Sequence, residues 1–83
     1  MPSVAVLFKV YPKENMLDKA VANIKKMDPA PTGMQTDDIG FGITVIKVLF
    51  KFDDDKTSSS KIEDALRKVE GVGELEVEEE GLV

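Results

Sequence analysis

Three clusters of polar residues offer side chains with which this chain could carry out chemistry. Asp53-Asp54-Asp55 could hold a metal ion or act as an acid and base pair, and Ser58-Ser59-Ser60 could supply a nucleophile. The sequence has no histidine and no cysteine, so the commonest general base and the thiolate chemistries are missing. We therefore interpret the aspartates as a solvated turn, the serines as a helix cap, and Glu78-Glu79-Glu80 as a solvated terminus. The chain is predicted not to be an enzyme and to hold no metal or cofactor.

One aromatic residue, Phe41, stands between two glycines directly before the longest apolar run of the chain. Gly40 and Gly42 permit backbone angles that are closed to other residues, and they leave the ring uncovered. Two interpretations are open: the ring packs into the core at the end of a strand, or it is offered to a partner. Aromatic anchors at loop tips are typical of binding hot spots. The glycines on both sides favour the second interpretation, because a purely packing ring does not need them.

The composition excludes several classes of protein. Eighty-three residues suffice for one domain, 1–83, with a single modest core. The formal charge of -5 argues against a nucleic-acid partner and favours a basic protein partner or simple solubility. No basic-then-apolar leader opens the chain, and no apolar stretch approaches the ~20 residues that span a bilayer. We therefore expect a cytoplasmic protein without membrane contact.

Hydrophobic spacing predicts six elements in the order β-α-β-β-α-β. The predicted strands cover residues 3–11, 34–39, 43–52 and 74–78, and the first helix covers 14–27. The second helix carries the apolar stripe Ile62, Ala65, Leu66 and Val69. We expect Ser60 and Glu63 to form a capping box at its start and Gly71 to end it in a left-handed conformation.

This order predicts an α+β, ferredoxin-like sandwich, in which a four-stranded antiparallel sheet carries two helices on one face. The first and third strands are the most apolar and are expected at the centre, with the weak second and the glutamate-rich last strand at the edges. Polar residues of alternate positions should line the uncovered face and form cross-strand pairs: Lys9, Lys47, Lys51, Glu74, Glu76 and Glu78.

The fold alone does not decide the function, because ferredoxin-like domains have many unrelated functions. An RNA-recognition domain needs aromatic residues on the open face of the central strands, where this chain offers only Tyr11. Acylphosphatase-type chemistry needs an arginine in the loop after the first strand, and the single arginine, Arg67, lies in the second helix. Neither reading fits the residues.

Four segments carry a resemblance to a known family. Residues 4–12 read V-x-x-x-x-K-V-x-P, and Ile39-Gly40-Phe41-Gly42-Ile43 reads I-[GA]-[FY]-G-[IL] before the strand residues VIKV. The sequence DDK at 54–56 gives an acidic exit from the strand. Residues 62–72 form the last helix and its end, with the pattern E-x-x-L-x-x-x-E-G-V. In this order and spacing, the segments resemble the guanine-nucleotide exchange domain of the elongation factor 1-beta/delta family, in its small archaeal form.

The resemblance implies a guanine-nucleotide exchange factor for elongation factor 1-alpha, the GTPase that delivers aminoacyl-tRNA to the ribosome. Family members dock across two domains of this GTPase and disturb the region that holds Mg²⁺ and phosphate. By resemblance, Ile39, Phe41 and the flanking Gly40 and Gly42 map to the contact. Eukaryotic members end in a lysine that reaches the Mg²⁺ site, whereas this chain has no basic residue after Lys68. Either Leu82 and Val83 act differently there, or another surface perturbs the metal.

Two alternatives come from other classes of protein. The first is a regulatory module of the same topology, which would pair edge to edge and bind a small molecule at the interface. The second is a structural adaptor, which would bind the GTPase without changing nucleotide release. The exchange factor itself is expected to be a monomer when free.

Overall fold

Six elements follow one another in the predicted order in the computed structural model, which describes residues 3–27 and 30–82. They are β1 (Ser3–Pro12), α1 (Leu17–Lys25), β2 (Gly33–Gly40), β3 (Ile43–Asp53), α2 (Ser59–Arg67) and β4 (Val72–Leu82). The strands form one antiparallel sheet in the order β2-β3-β1-β4. The predicted α+β, ferredoxin-like sandwich is confirmed, with β1 and β3 at its centre.

The core lies between the helices and one face of the sheet. Alternate residues of β1 are fully buried there, and the register places Phe8 opposite Val48 and Val6 opposite Phe50. The rings of Phe8 and Phe50 pack edge to face with centroids 5.9 Å apart. Four helix residues close the core from above: Ala20, Ile24, Ile62 and Leu66. Because burying each large apolar side chain contributes about 1.5–3 kcal/mol, this layer dominates the stability of the fold.

Helix α1 is shorter than the sequence predicted at both ends. It begins at Leu17 and not at residue 14, because Asn15 adopts a left-handed φ of 63° that cannot be part of a helix. It ends at Lys25, where the amides of Lys26 and Met27 bond to carbonyls three residues back and tighten the last turn.

Helix α2 begins with a different cap from the one predicted. The hydroxyl of Ser58 accepts a hydrogen bond from the amide of Lys61 at 3.3 Å, so Ser58 is the N-cap and the Ser60–Glu63 capping box is wrong. Glu63 instead forms an ion pair of 3.7 Å with Arg67 one turn later. The left-handed conformation of Gly71 is confirmed by its φ of 101°, although the helix already ends at Arg67.

Strand β4 also differs from the prediction: it runs from Val72 to Leu82 and not from 74 to 78, so Glu79 and Glu80, interpreted as a solvated terminus, belong to it. Glu79 lies opposite Leu7 and Glu80 opposite Val6 in the ladder with β1, so this backbone is paired while the side chains remain exposed. Asp54 and Asp55 lie exposed in the turn after β3, as interpreted from the sequence. Asp53 closes β3 and accepts a hydrogen bond from the Ser3 hydroxyl at 3.3 Å.

The face of the sheet away from the helices, here called the open face, carries the predicted charged residues. Lys47 and Glu78 form an ion pair of 3.7 Å across this face. Val45 lies on the open face beside Lys47 but is fully buried, which the alternation of polar residues did not predict. Among the described residues, no helix is long and apolar enough to cross a membrane.

Gly71, in the turn between α2 and β4, offers a test of how closely this turn approaches α1. A Cβ atom built on it would lie 3.0 Å from the backbone nitrogen of Ala20, and its φ of 101° disfavours any L residue. We expect Gly71→Ala to destabilise the fold by about 2 kcal/mol or more, because backbone strain and overpacking add. Urea unfolding measures this change. Gly81→Ala is the matched control, since nothing lies within 4 Å of a Cβ at that position. Equal stability of the two variants would contradict the close approach.

Candidate site at the tip of the β2–β3 hairpin

A two-residue turn joins β2 to β3 and carries the aromatic residue singled out in the sequence. Gly40 pairs with Ile43, which leaves Phe41 and Gly42 as the two turn residues. Their φ angles are 58° and 73°, and two positive values in succession are typical of a type I′ turn. This turn type matches the twist of the flanking strands, which explains why a glycine is needed at position 42.

The side chain of Phe41 projects fully into solvent. Its relative exposure is 101%, the highest of the large apolar residues in the described part of the chain. The alternative interpretation, in which this ring packs into the core at the end of a strand, is therefore wrong. A ring in solvent contributes nothing to the stability of the core, so its presence requires another explanation.

The backbone of Phe41 is strained as well as exposed. Bulky residues avoid the left-handed region, where an L residue costs about 1–2 kcal/mol, and type I′ turns favour asparagine or glycine at this position. Phe41 and Asn15 are the two residues other than glycine that adopt positive φ in the described ranges. Strain of this kind persists at binding and active sites, so the observed outlier supports a functional role for the turn.

Two isoleucines extend the exposed apolar surface beside Phe41. Ile39 and Ile43 are 45% and 46% exposed and lie on either side of the turn. The ladder is shifted between Asp38 and Gly40, so Ile39 is an extra, unpaired residue opposite β3. We call Ile39, Phe41 and Ile43 the apolar tip. Ile43 was not among the predicted contact residues, although its position just after the turn was a signal that could have identified it.

The two glycines of the tip have open space around them. No atom lies within 4 Å of a Cβ atom built on Gly40 or Gly42, so packing within the chain does not exclude a side chain there. Their positive φ angles of 92° and 73° are the local reason for glycine. The absence of side chains also leaves the backbone on both sides of Phe41 accessible to a partner.

The structure does not bring the predicted C-terminal contact residues near the tip. Leu82 is 74% exposed and pairs with Val4, which in turn pairs with Phe52 at the far end of β3. At the ~3.3 Å rise of a strand residue, Leu82 therefore lies about 30 Å from the turn. Val83 lies outside the described residues. The predicted topology already implied this separation, because β4 must run in the same direction as β3.

The open face between these two ends is charged and ordered by side-chain contacts. The Tyr11 hydroxyl donates to Glu76 at 3.2 Å, and the Lys9 ammonium lies 5.6 Å from the centroid of the Tyr11 ring. The Tyr11 side chain raises the pKa of Lys9 above its usual value, and the charges of Glu76 and Glu78 raise it further. The ion pair of Lys47 and Glu78 confirms one predicted pair, which reaches across β1. Such exposed pairs contribute about 0–1 kcal/mol each and mainly order the surface.

Comparison with known proteins identifies the family. A model of the EF-1 guanine nucleotide exchange domain matches residues 5–82, which include the whole hairpin and most of every other element. The chain belongs to this family. Its function is accordingly guanine-nucleotide exchange in translation elongation.

Relatives from archaea agree with this exchange family over the full chain. The chain is 33% identical to elongation factor 1-beta of Methanospirillum hungatei and 30% identical to that of Methanoculleus marisnigri, in both cases over all of each protein. It is 36% identical to elongation factor 1-beta of Ignicoccus hospitalis, covering 94% of this chain and 89% of that one. The resemblance seen in the four sequence segments is confirmed.

Two of the polar clusters make local contacts in the part of this exchange domain that the structure describes. Within residues 3–27 and 30–82, no three acidic, histidine or cysteine side chains converge in a way that could hold a metal ion. Ser58 is occupied as a helix cap, and Asp53 bonds to Ser3 and to Lys56, the latter at 3.7 Å. The exposed apolar tip is therefore the strongest candidate for the functional site.

The strain at Phe41 has a measurable consequence for stability. We expect Phe41→Asn to stabilise the domain by about 1 kcal/mol, because asparagine followed by glycine suits a type I′ turn. With an m-value of ~1 kcal/mol/M, the urea midpoint should rise by about 1 M. Phe41→Ala keeps a Cβ in the strained conformation and should change stability by less than about 0.5 kcal/mol. A loss of about 2 kcal/mol or more in Phe41→Ala would show that the ring packs against the fold.

Proposed function

We propose that this exchange domain promotes GDP release from elongation factor 1-alpha by binding the nucleotide-free GTPase through the apolar tip. The observation that carries the proposal is the full exposure of Phe41 on a strained two-residue turn. Exposed aromatic residues on rigid turns are typical anchors of protein interfaces. Ile39 and Ile43 flank the ring and widen the apolar surface available to the partner.

Exchange of this kind requires no bond chemistry from the factor. A protein that binds the empty GTPase more tightly than the GDP-bound form must weaken GDP binding by the same ratio, because the coupling is reciprocal. We therefore propose that the chain acts without catalytic residues, cofactor or metal of its own. The free energy comes from the contact between the two proteins.

The size of the apolar tip is sufficient for a substantial effect. Burying the ring of Phe41 would contribute about 1.5–3 kcal/mol, and each half-exposed isoleucine would add about 1 kcal/mol. A thousandfold preference for the empty GTPase requires about 4 kcal/mol. The ring alone does not reach this value, whereas the three side chains together contribute about 3.5–5 kcal/mol, a range that includes it. All three should therefore contact a surface that is fully available only when the nucleotide has left.

A second contact is proposed at Leu82, which lies about 30 Å from the turn at the opposite end of the sheet. Its side chain is 74% exposed on β4 and does not belong to the core. The GTPase would contact both the apolar tip and Leu82 only if it extends along the sheet. This arrangement agrees with docking across two domains of the partner, as the resemblance implied.

The charge of the chain restricts the other partners that we propose. With a net charge of -5 and acidic side chains along β4, the domain would repel phosphate groups, so we propose no direct contact with nucleic acid or anionic membrane. A basic or apolar protein surface fits it better. We propose a cytoplasmic location because the chain belongs to a family that acts in translation elongation.

The function of the apolar tip can be tested by measuring catalysed nucleotide release. We expect Phe41→Ala to lower kcat/KM for release of a fluorescent GDP analogue from elongation factor 1-alpha by about 10- to 30-fold, the loss of about 1.4–2 kcal/mol typical of a hot spot. Stopped-flow fluorescence with purified partner measures this rate. The fold should remain intact, since Phe41 makes no core contact.

Two further variants make this measurement specific. Val77→Ala is the matched control, because Val77 is 43% exposed but lies on β4, outside both proposed contacts. It should leave release within about twofold of wild type. Leu82→Ala tests the second contact and should lower kcat/KM by several-fold. Wild-type release by Phe41→Ala would reject the role of the tip, and wild-type release by Leu82→Ala would reject the second contact alone.

We also propose that the free domain is a monomer. Asp37 and Asp38 lie on the edge strand β2, and glutamates line the other edge strand β4, where like charges oppose pairing of two copies. A regulatory module would instead pair edge to edge, and an adaptor would leave release unchanged. Gel filtration over a hundredfold range of concentration should give one monomeric volume. A dimer that persists on dilution would favour the regulatory module.

A further inference from the structure

Within the described residues, the carboxylate of Asp38 makes the one side-chain hydrogen bond to the backbone of the hairpin turn. Its Oδ1 atom accepts a hydrogen bond from the amide of Gly40 at 2.9 Å, two residues along the chain. This is the geometry in which aspartate stabilises a local turn of its own backbone. The contact lies where the ladder with β3 is shifted and Ile39 is left unpaired.

We propose that Asp38 is a positioning residue that holds the ring of Phe41 in its binding conformation. The proposal rests on the proposed function of the apolar tip and adds a residue that does not itself touch the partner. Asp38 would act by fixing the backbone of Gly40, the residue from which the turn begins.

The need for such a residue follows from the backbone of the turn. Three consecutive residues adopt positive φ angles of 92°, 58° and 73°, and the middle one is a phenylalanine that disfavours this region. Two flexible glycines flank it, so the turn has other conformations available. The hydrogen bond to Asp38 fixes the amide of Gly40, at the β2 end of the turn. It thereby favours the conformation in which the Phe41 ring points outward.

If the partner binds only the conformation in which the Phe41 ring points outward, its apparent affinity depends on the population of that conformation. Apparent affinity falls in proportion to the population of the competent state. If the loss of the Asp38 contact lowers that population from nearly all molecules to about a fifth, kcat/KM should fall about fivefold. This effect is smaller than that of removing the ring, which eliminates the contact itself.

Asp37 provides a matched comparison within the same strand. It carries the same charge, is exposed like Asp38, and pairs with Val45 in the ladder, whereas Asp38 pairs with Thr44. Successive strand residues point to opposite faces, so the two carboxylates face opposite sides of the sheet. Among the described residues, Asp37 makes no side-chain hydrogen bond that corresponds to the one of Asp38. Its removal therefore controls for the loss of one negative charge.

The experiment compares exchange by the full chain carrying Asp38→Ala, Asp38→Asn or Asp37→Ala. We expect Asp38→Ala to lower kcat/KM for GDP release by about fivefold, with the loss mainly in apparent affinity for the GTPase. Asp38→Asn retains an acceptor oxygen and should remain within about twofold of wild type, as should Asp37→Ala. In NMR spectra, the Gly40 amide proton should exchange faster with solvent in Asp38→Ala, while core amides remain unchanged.

A double-mutant cycle separates positioning from direct contact. If Asp38 acts through the ring, Asp38→Ala should have no further effect on release when Phe41 is already alanine. An equal fivefold loss in that background would overturn the proposal, because Asp38 would then act on the partner by itself. Wild-type release by Asp38→Ala would overturn it too. If Phe41→Ala alone had no effect, the proposed function of the tip would fail, which is a distinguishable result.

Discussion

The pairing of β1 with β3 is the constraint on which the rest of the structure depends. Their register places Phe8 opposite Val48 and Val10 opposite Ile46, so the apolar residues of both central strands face the helices together. A slip of one residue would turn one strand over relative to the other and move its apolar residues to the open face. The same register fixes where β3 begins, and therefore how far the β2–β3 hairpin extends beyond the core.

The hairpin tip shows a conflict between stability and binding. Core residues such as Phe8 gain free energy from burial, whereas Phe41 is exposed and its backbone adopts an unfavourable φ of 58°. The unfavourable terms amount to about 1–2 kcal/mol, a noticeable fraction of the 5–15 kcal/mol typical of domain stability. A chain selected for stability alone would have asparagine there. Occupation by phenylalanine is consistent with a residue whose contribution is made in a complex.

Sequence reasoning predicted what depends on periodic patterns and missed what depends on local choices. The alternation of Val4, Val6 and Phe8 determines a buried strand face, and it is found as predicted. The start of α1 was missed because Asn15 adopts a left-handed conformation that asparagine tolerates but does not require. Three successive serines are equivalent candidates for a cap, and only the three-dimensional start of α2 selects Ser58. At the tip, the glycines indicated Phe41, but the alternation of residues gave no sign of the shifted ladder that leaves Ile39 unpaired.

The rigidity of the sheet bears on how such a small domain could release a nucleotide. The tip and Leu82 are joined through paired strands, so their separation of about 30 Å is fixed before any partner arrives. A preorganised surface loses little conformational entropy on binding, because its backbone is already ordered in the free domain. In the proposed binding mode, the GTPase adapts to this fixed spacing. By reciprocity, contacts that favour the nucleotide-free GTPase weaken its binding of GDP. A rigid domain is better suited than a flexible one to impose the nucleotide-free form.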